Sequence, residues 1–436
     1  MTILRFALGL LLAGSVLALG GVEVWAESPI EIAAATLFLL WALLVALTPE
    51  GRVYWSPVYW PLLGLIAIGL MQLAFHTTAY AFLTRTQLLR LSAYFLIFFL
   101  VTQAFRTRSD FSKLFWFLVI LCFVVSLLAI IQYFTSDREI FWTEAFKTQG
   151  VPFGPYVNRN HFAGFVELTL PLGIAVMLFR GVHREQLPLM ALLTIVPVCA
   201  LALSGSRGGI IGFAFELGVI VLLLRIERAP QWRSKRMLVF ALVALVAMSA
   251  VAWVGASAAI AKFASQSPEV SMSRRISMDR GAVHIFLDHV LMGCGVGTLV
   301  DVFPLYETAY DGKVVDHVHN DYLETLAETG LIGGICGAAF LFLLFREARK
   351  NLVAEQGHFS RALHAGAIAA LFGILLHSLV DFNLQIPANA MLFLVQASLA
   401  TAPPLASNSP ATRRRDPLAL NRFESAEKMK TSLENP

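Results

Sequence analysis

The chain has 436 residues, 57% hydrophobic and only 14% charged, with a formal net charge of +4 and a mean hydropathy of +0.70. Soluble domains carry about 25% charge, so a soluble enzyme, a disordered chain and a collagen-like chain are excluded. The apolar residues fall in continuous runs of about 17–21, each long enough to cross a ~30 Å hydrocarbon core. They do not alternate in ten-residue segments, which excludes an outer-membrane β-barrel.

Twelve runs read as membrane spans, at roughly 4–22, 30–48, 57–75, 88–105, 114–134, 160–179, 187–203, 207–225, 237–257, 329–345, 362–380 and 386–402. The first also fits a signal peptide, since Val24-Trp25-Ala26 offers small residues at −3 and −1 of a cleavage site. Either way the later spans keep one orientation. Lys and Arg concentrate in the even-numbered loops, as in Arg106, Arg108 and Lys113, or Arg346, Arg349 and Lys350. The positive-inside rule then puts both termini in the cytoplasm. The expected fold class is all-α: a polytopic membrane helical bundle over 1–402, with a long periplasmic loop at 258–328 and a disordered cytoplasmic tail at 403–436. Cys122, Cys199, Cys294 and Cys336 show no CxxC spacing and give no disulfide framework.

Polar residues interrupt this pattern at a few places. Gly154–His161 leads into span six from the periplasmic side; Asn158 or Asn160 suits a helix cap, while Arg159 and His161 suit the lining of a polar cavity. Glu167 and Glu216 lie within spans six and eight, at a depth where an ionisable group needs a partner or a function; interhelical hydrogen bonds are the first expectation. Between spans seven and eight, Ser204-Gly205-Ser206-Arg207-Gly208-Gly209 joins a helix start, small residues and a guanidinium. That is an anion site in outline, or a snorkelling anchor.

The stretch 258–317 has five cations against seven acidic residues, yet Arg274, Arg275 and Arg280 sit within seven positions. A local basic cluster suits a phosphate, with a solvated patch or lipid-headgroup anchor as the alternative. Next comes Asp316-His317-Val318-His319-Asn320-Asp321-Tyr322-Leu323-Glu324, running to Glu328 and Gly330-Leu331-Ile332-Gly333-Gly334. Asp321, Glu324 and Glu328 share a helical face at i, i+3 and i+7. This mouth of span ten reads as a general base, as capping and packing, or as a metal site on His317 and His319. No third ligand is evident from spacing, so no metal or cofactor is assigned. Finally, His377 and Asp381 stand at i, i+4 at the end of span eleven and suit a paired support or a local cap.

The run His319-Asn320, nine residues, then Gly330-Leu331-Ile332-Gly333-Gly334 resembles the bacterial O-antigen ligase and Wzy-type polymerase superfamily. Ser206-Arg207-Gly208-Gly209, the Arg-bearing loop, Gly293–Gly297 and His377–Phe382 also look like that family. The resemblance covers roughly residues 150–385. It implies a metal-independent, inverting glycosyltransferase of the inner membrane, with its site facing the periplasm. By the same resemblance the expected donor is a glycan on undecaprenyl diphosphate and the expected acceptor a lipid A core sugar, or, for a polymerase of O-antigen or exopolysaccharide, another glycan. By resemblance His319 is the base, and Arg207 with Arg274, Arg275 and Arg280 binds the diphosphate. Asn320, Asp321, His377, Asp381 and Arg159 are expected to support them.

The residue chemistry agrees with a lipid-diphosphate donor. Cations belong at the membrane surface and an apolar cleft belongs below them, and no Walker or Rossmann nucleotide pattern is present. Nothing points to nucleic acid. A transporter of the same lipid is the non-enzyme alternative. It needs charges along a path through the bilayer, whereas the unusual charges here gather on one side.

Overall fold

The computed structural model describes residues 1–48, 53–136, 139–143, 146, 151–226, 249, 272–308 and 312–404. The helices among them are α1 (Thr2–Leu17), α2 (Val24–Ala46), α3 (Tyr59–Ala74), α4 (Ala81–Ala104), α5 (Arg108–Thr135) and α6 (Arg159–Leu178). They continue as α7 (Leu187–Ser204), α8 (Arg207–Ile226), α9 (Met272–Asp288), α10 (Leu299–Val302), α11 (Asp321–Ala354), α12 (His358–His377) and α13 (Pro387–Thr401). Among the described residues, 8 helical segments are long and apolar enough to cross a membrane, and α1 and α3 are shorter apolar helices. The chain is an all-α polytopic membrane protein. Of the predicted ninth span, 237–257, only residue 249 is described, and the tail from residue 405 lies outside the described residues.

Polar caps start the helices where the sequence offers them. Thr107 and Asp110 form a capping box on α5. Asn158 Oδ1 accepts from Asn160 N at 2.9 Å at the head of α6, and Ser206 Oγ accepts from Gly209 N at 3.2 Å at the head of α8. Ser204 Oγ donates to Leu201 O at 2.6 Å and accepts from Ser206 N at 3.3 Å. Helix α6 is the centre of the bundle: 94% of its apolar window is buried, against 17% for α2. α12 packs most extensively on α6 and next on α8, so these three helices form the inner layer beneath the site described below.

Helix α11 differs from the span expected at 329–345. It begins at Asp321 and breaks at Gly330, whose φ of 65° and ψ of −164° are not helical. A Cβ at Gly330 would lie 2.5 Å from the carbonyl carbon and oxygen of Leu291 and 2.6 Å from Gly293 N. The break is a joint with the loop after α9. Cys294 N donates to Ala327 O (2.9 Å), Gly295 N to Glu328 O (3.2 Å) and Leu331 N to Val290 O (2.7 Å). Gln72 of α3 closes it, with Nε2 donating to Glu328 O at 2.8 Å and Oε1 accepting from Val296 N at 2.9 Å. Backbone groups freed by a break in an apolar bundle must find such partners. The glycines at 293 and 330 exist because two main chains touch there.

Candidate active site at one end of the bundle

The heads of α6, α8 and α11 and the turn after α12 meet at one end of the bundle, with α9 beside them. Asp321 N donates to Ser378 O at 3.0 Å, and Asp321 Oδ2 accepts from Leu384 N at 3.1 Å. These bonds tie the head of α11 to the turn that carries Asp381. Asn320 caps α11, accepting from Tyr322 N (3.1 Å) and Leu323 N (3.2 Å). His319 is therefore the last residue but one before the helix, held at its entrance.

Asp381 is the hub. Its side chain is 1% exposed, and its Oδ1 lies 3.3 Å from His319 Nδ1 and 3.7 Å from His161 Nε2. Its Oδ2 accepts from Asn160 Nδ2 at 2.6 Å and lies 3.7 Å from Arg275 Nη2. Phe382 N donates to Oδ1 at 2.9 Å. Burial pushes the Asp381 carboxyl up, but the imidazoles of His161 and His319 outweigh it and hold the acid well below the usual carboxylate range. The His319 contact is close enough for an ion pair without hydrogen-bond alignment. The rings of His161, His317 and His319 surround Phe382 at centroid distances of 4.7, 4.9 and 5.0 Å, so the histidines are fixed by packing as well as by charge.

The expected arginines separate. Arg275 reaches the hub and also donates to Val380 O at 2.7 Å. Arg274 turns to Lys313 O at 3.3 Å, and Arg280 is exposed on α9. Arg207 is exposed at the head of α8, next to Gly208, which is seated against the His377 ring. Arg159 Nη1 covers the turn at Gly205, 3.4 Å from where a Cβ would stand. The structure thus joins Arg275 to His319 through Asp381 and sets Arg207 at the head of α8, beside the glycine that meets His377.

Two expected partnerships are corrected. His377 does not pair with Asp381: its Nδ1 lies 2.6 Å from Glu167 Oε2 on α6. His317 and His319 face different carboxylates, since His317 Nδ1 lies 2.6 Å from Glu324 Oε1. Burial alone would lower His317, but that carboxylate outweighs it and raises the imidazole to about 9. Among the described residues no three His, Cys, Asp or Glu side chains are grouped to hold a metal ion. The acidic face of α11 ties loops together: Glu324 accepts from Val318 N at 2.8 Å, and Glu328 from Leu299 N at 3.1 Å. Sequence reasoning missed Asp279, one turn after Arg275 on α9. Burial raises this carboxyl, and the charges of His319 and Arg275 oppose the shift. The i, i+4 spacing from Arg275 was the available signal.

The fold and site together define a multi-pass helical membrane protein with a histidine–carboxylate pair and an arginine at one end of its bundle. The family model described as Wzy_C, O-antigen ligase, matches residues 190–338. The matched region runs from α7 into α11 and contains Arg207, the three arginines of α9 and His319. The Asp381 turn and α6 lie beyond the matched residues. No curated protein matches the chain in a sequence search.

Proposed function

We propose that the chain is an O-antigen ligase-like glycosyltransferase. It moves a glycan from undecaprenyl diphosphate to an acceptor hydroxyl, a lipid A core sugar, at the periplasmic face of the bacterial inner membrane. The observation that carries this reading is the pair of His319 Nδ1 and the buried Asp381 carboxylate at 3.3 Å, with Arg275 on the same carboxylate. An ionised Asp381 keeps the imidazole proton on Nδ1 and leaves Nε2 as the acceptor of a proton. His319 takes the proton of the acceptor hydroxyl as its oxygen attacks the anomeric carbon. The bond to the diphosphate breaks on the opposite face, so the configuration inverts and the diphosphate leaves with its negative charge. Arg207 and the arginines of α9 supply the charge that stabilises that leaving group; Arg275 is the one tied to the base through Asp381. No metal takes part.

The test is glycan transfer and donor binding by the purified protein in detergent, for wild type and His319→Ala, with and without EDTA. Removal of a general base costs ~10²–10⁴ in rate, so the variant loses turnover and keeps donor binding, and EDTA has no effect. Normal turnover in His319→Ala sinks the base assignment. Loss with EDTA that a divalent ion restores replaces it with a metal mechanism. The acceptor separates ligase from polymerase: a deletion strain of a ligase loses glycan from surface lipopolysaccharide, and that of a polymerase loses chain length or secreted polysaccharide.

A further inference from the structure

Below the site, α6, α8 and α12 bury three ionisable side chains that the transfer chemistry does not use. On α8, Gly208, Gly212 and Glu216 stand at i, i+4 and i+8, on one face. Gly208 is seated against the His377 ring, Gly212 against the Glu167 carboxylate, and Glu216 against Gly373 of α12. Gly373 and His377 in turn stand at i, i+4 on α12. A glycine therefore stands opposite each of the three polar side chains. His377 is at the top of this column, Glu167 reaches in from α6 at the next level, and Glu216 is at the bottom.

The hydrogen bonding along the column is incomplete. Glu167 Oε2 and His377 Nδ1 are 2.6 Å apart, with the side chains 0% and 1% exposed. Glu167 Oε1 and both carboxylate oxygens of Glu216 are buried without a partner. A lone carboxylate in an apolar interior is far costlier than a neutral acid, which suits Glu216 as the protonated end. Glu167 has a cationic partner within reach, and that partner is the last residue of α12, where the helix dipole favours positive charge. One turn later comes Asp381. The charged and titratable groups that act on His377 are Glu167 on α6, Arg275 on α9 and Asp381 in the following turn.

We propose that Glu167, His377 and Glu216 are a positioning column, with Glu167 ionised, His377 its protonated partner and Glu216 a neutral acid. The cation it places at the end of α12 holds Asp381 as the carboxylate that orients His319. The role of His319 rests on the function proposed above; the charge states of the column do not.

The experiment has one arm for each part. In the full chain with ¹⁵N-labelled histidine, the His377 signal is assigned by its loss in His377→Gln. At neutral pH wild-type His377 shows both ring nitrogens protonated, and in Glu167→Gln it becomes neutral. A neutral His377 in wild type overturns the column, and no activity measurement is needed to see it. Glu216→Gln leaves the His377 signal protonated; a neutral signal there shows that Glu216 carries charge and overturns its assignment. In glycan transfer, loss of the cation raises Asp381, which must be ionised to orient the base, so the acid limb of the kcat profile moves to higher pH in Glu167→Gln. The expected move is roughly one pH unit, with the donor KM unchanged. Glutamine keeps the shape and a hydrogen-bonding oxygen, so a purely structural Glu167 leaves the limb unmoved, and that result overturns the positioning role. Failure of the function itself is seen separately, as retained turnover in His319→Ala.

Discussion

Asp381→Asn tests the hub most directly, because the surrounding donors leave an amide no good orientation. Asn160 Nδ2 donates to Oδ2 at 2.6 Å and Phe382 N donates to Oδ1 at 2.9 Å, so both oxygens of a buried carboxylate are already acceptors. An amide NH2 at either position faces one of these N–H groups. With its NH2 at the Oδ1 position it also opposes the Phe382 N–H and presents a donor to His319 Nδ1. The imidazole then prefers its proton on Nε2 and can no longer accept one there. A buried donor left unsatisfied costs about 1–3 kcal/mol, which shows as a lower melting temperature in detergent. Loss of the base function costs ~10²–10⁴ in kcat. The assay is steady-state transfer kinetics for Asp381→Asn, His319→Ala and the double variant. Residues that act as a unit are non-additive, so the double variant is no slower than His319→Ala. If the two losses multiply, or if Asp381→Asn keeps wild-type turnover, Asp381 does not act through His319 and the reasoning fails.

Further predictions follow from other parts of the structure. Arg207→Ala weakens donor binding by roughly tenfold or more, the worth of one charge-assisted phosphate contact, and Arg207→Lys restores it only in part. Isothermal binding of a lipid diphosphate measures both, and unchanged affinity in Arg207→Ala makes Arg207 a membrane anchor. Gly330→Ala forces a side chain into a glycine-only conformation and against Leu291 and Gly293. Conformational strain and overlap together cost roughly 2–6 kcal/mol, read as loss of folded protein in a detergent melt. His317 is raised to about 9, so its pairing with Glu324 stabilises the fold fully below the ordinary histidine range. That contribution is lost as pH rises through about 9. Melting temperature against pH checks this: His317→Gln removes the decline over that window, and an unchanged decline assigns it to another group.

The class of protein is legible in the sequence. Continuous apolar runs admit only helices in a bilayer, because every backbone group must be satisfied within its own segment. The sequence also offered a local device, Asn158 or Asn160 as the cap of span six, and Asn158 takes that place, since a cap needs only neighbours in the chain. The His319 to Gly334 spacing carried the resemblance, and Gly330 was visible as a motif residue. Its purpose was not, because the surfaces it meets, Leu291 and Gly293, come from another part of the chain. Which ionisable groups pair is set by helix packing and is not legible in the sequence. His377 and Asp381 look like partners at i, i+4, yet one pairs across helices with Glu167 and the other with His319, His161, Asn160 and Arg275. Likewise three clustered arginines look equivalent in the sequence, and the pitch of α9 sends only Arg275 to Asp381 while Arg274 turns to Lys313. Pairing between buried charges is set by which helix faces meet within a few ångströms, and that information lies in the packing of segments far apart in the chain.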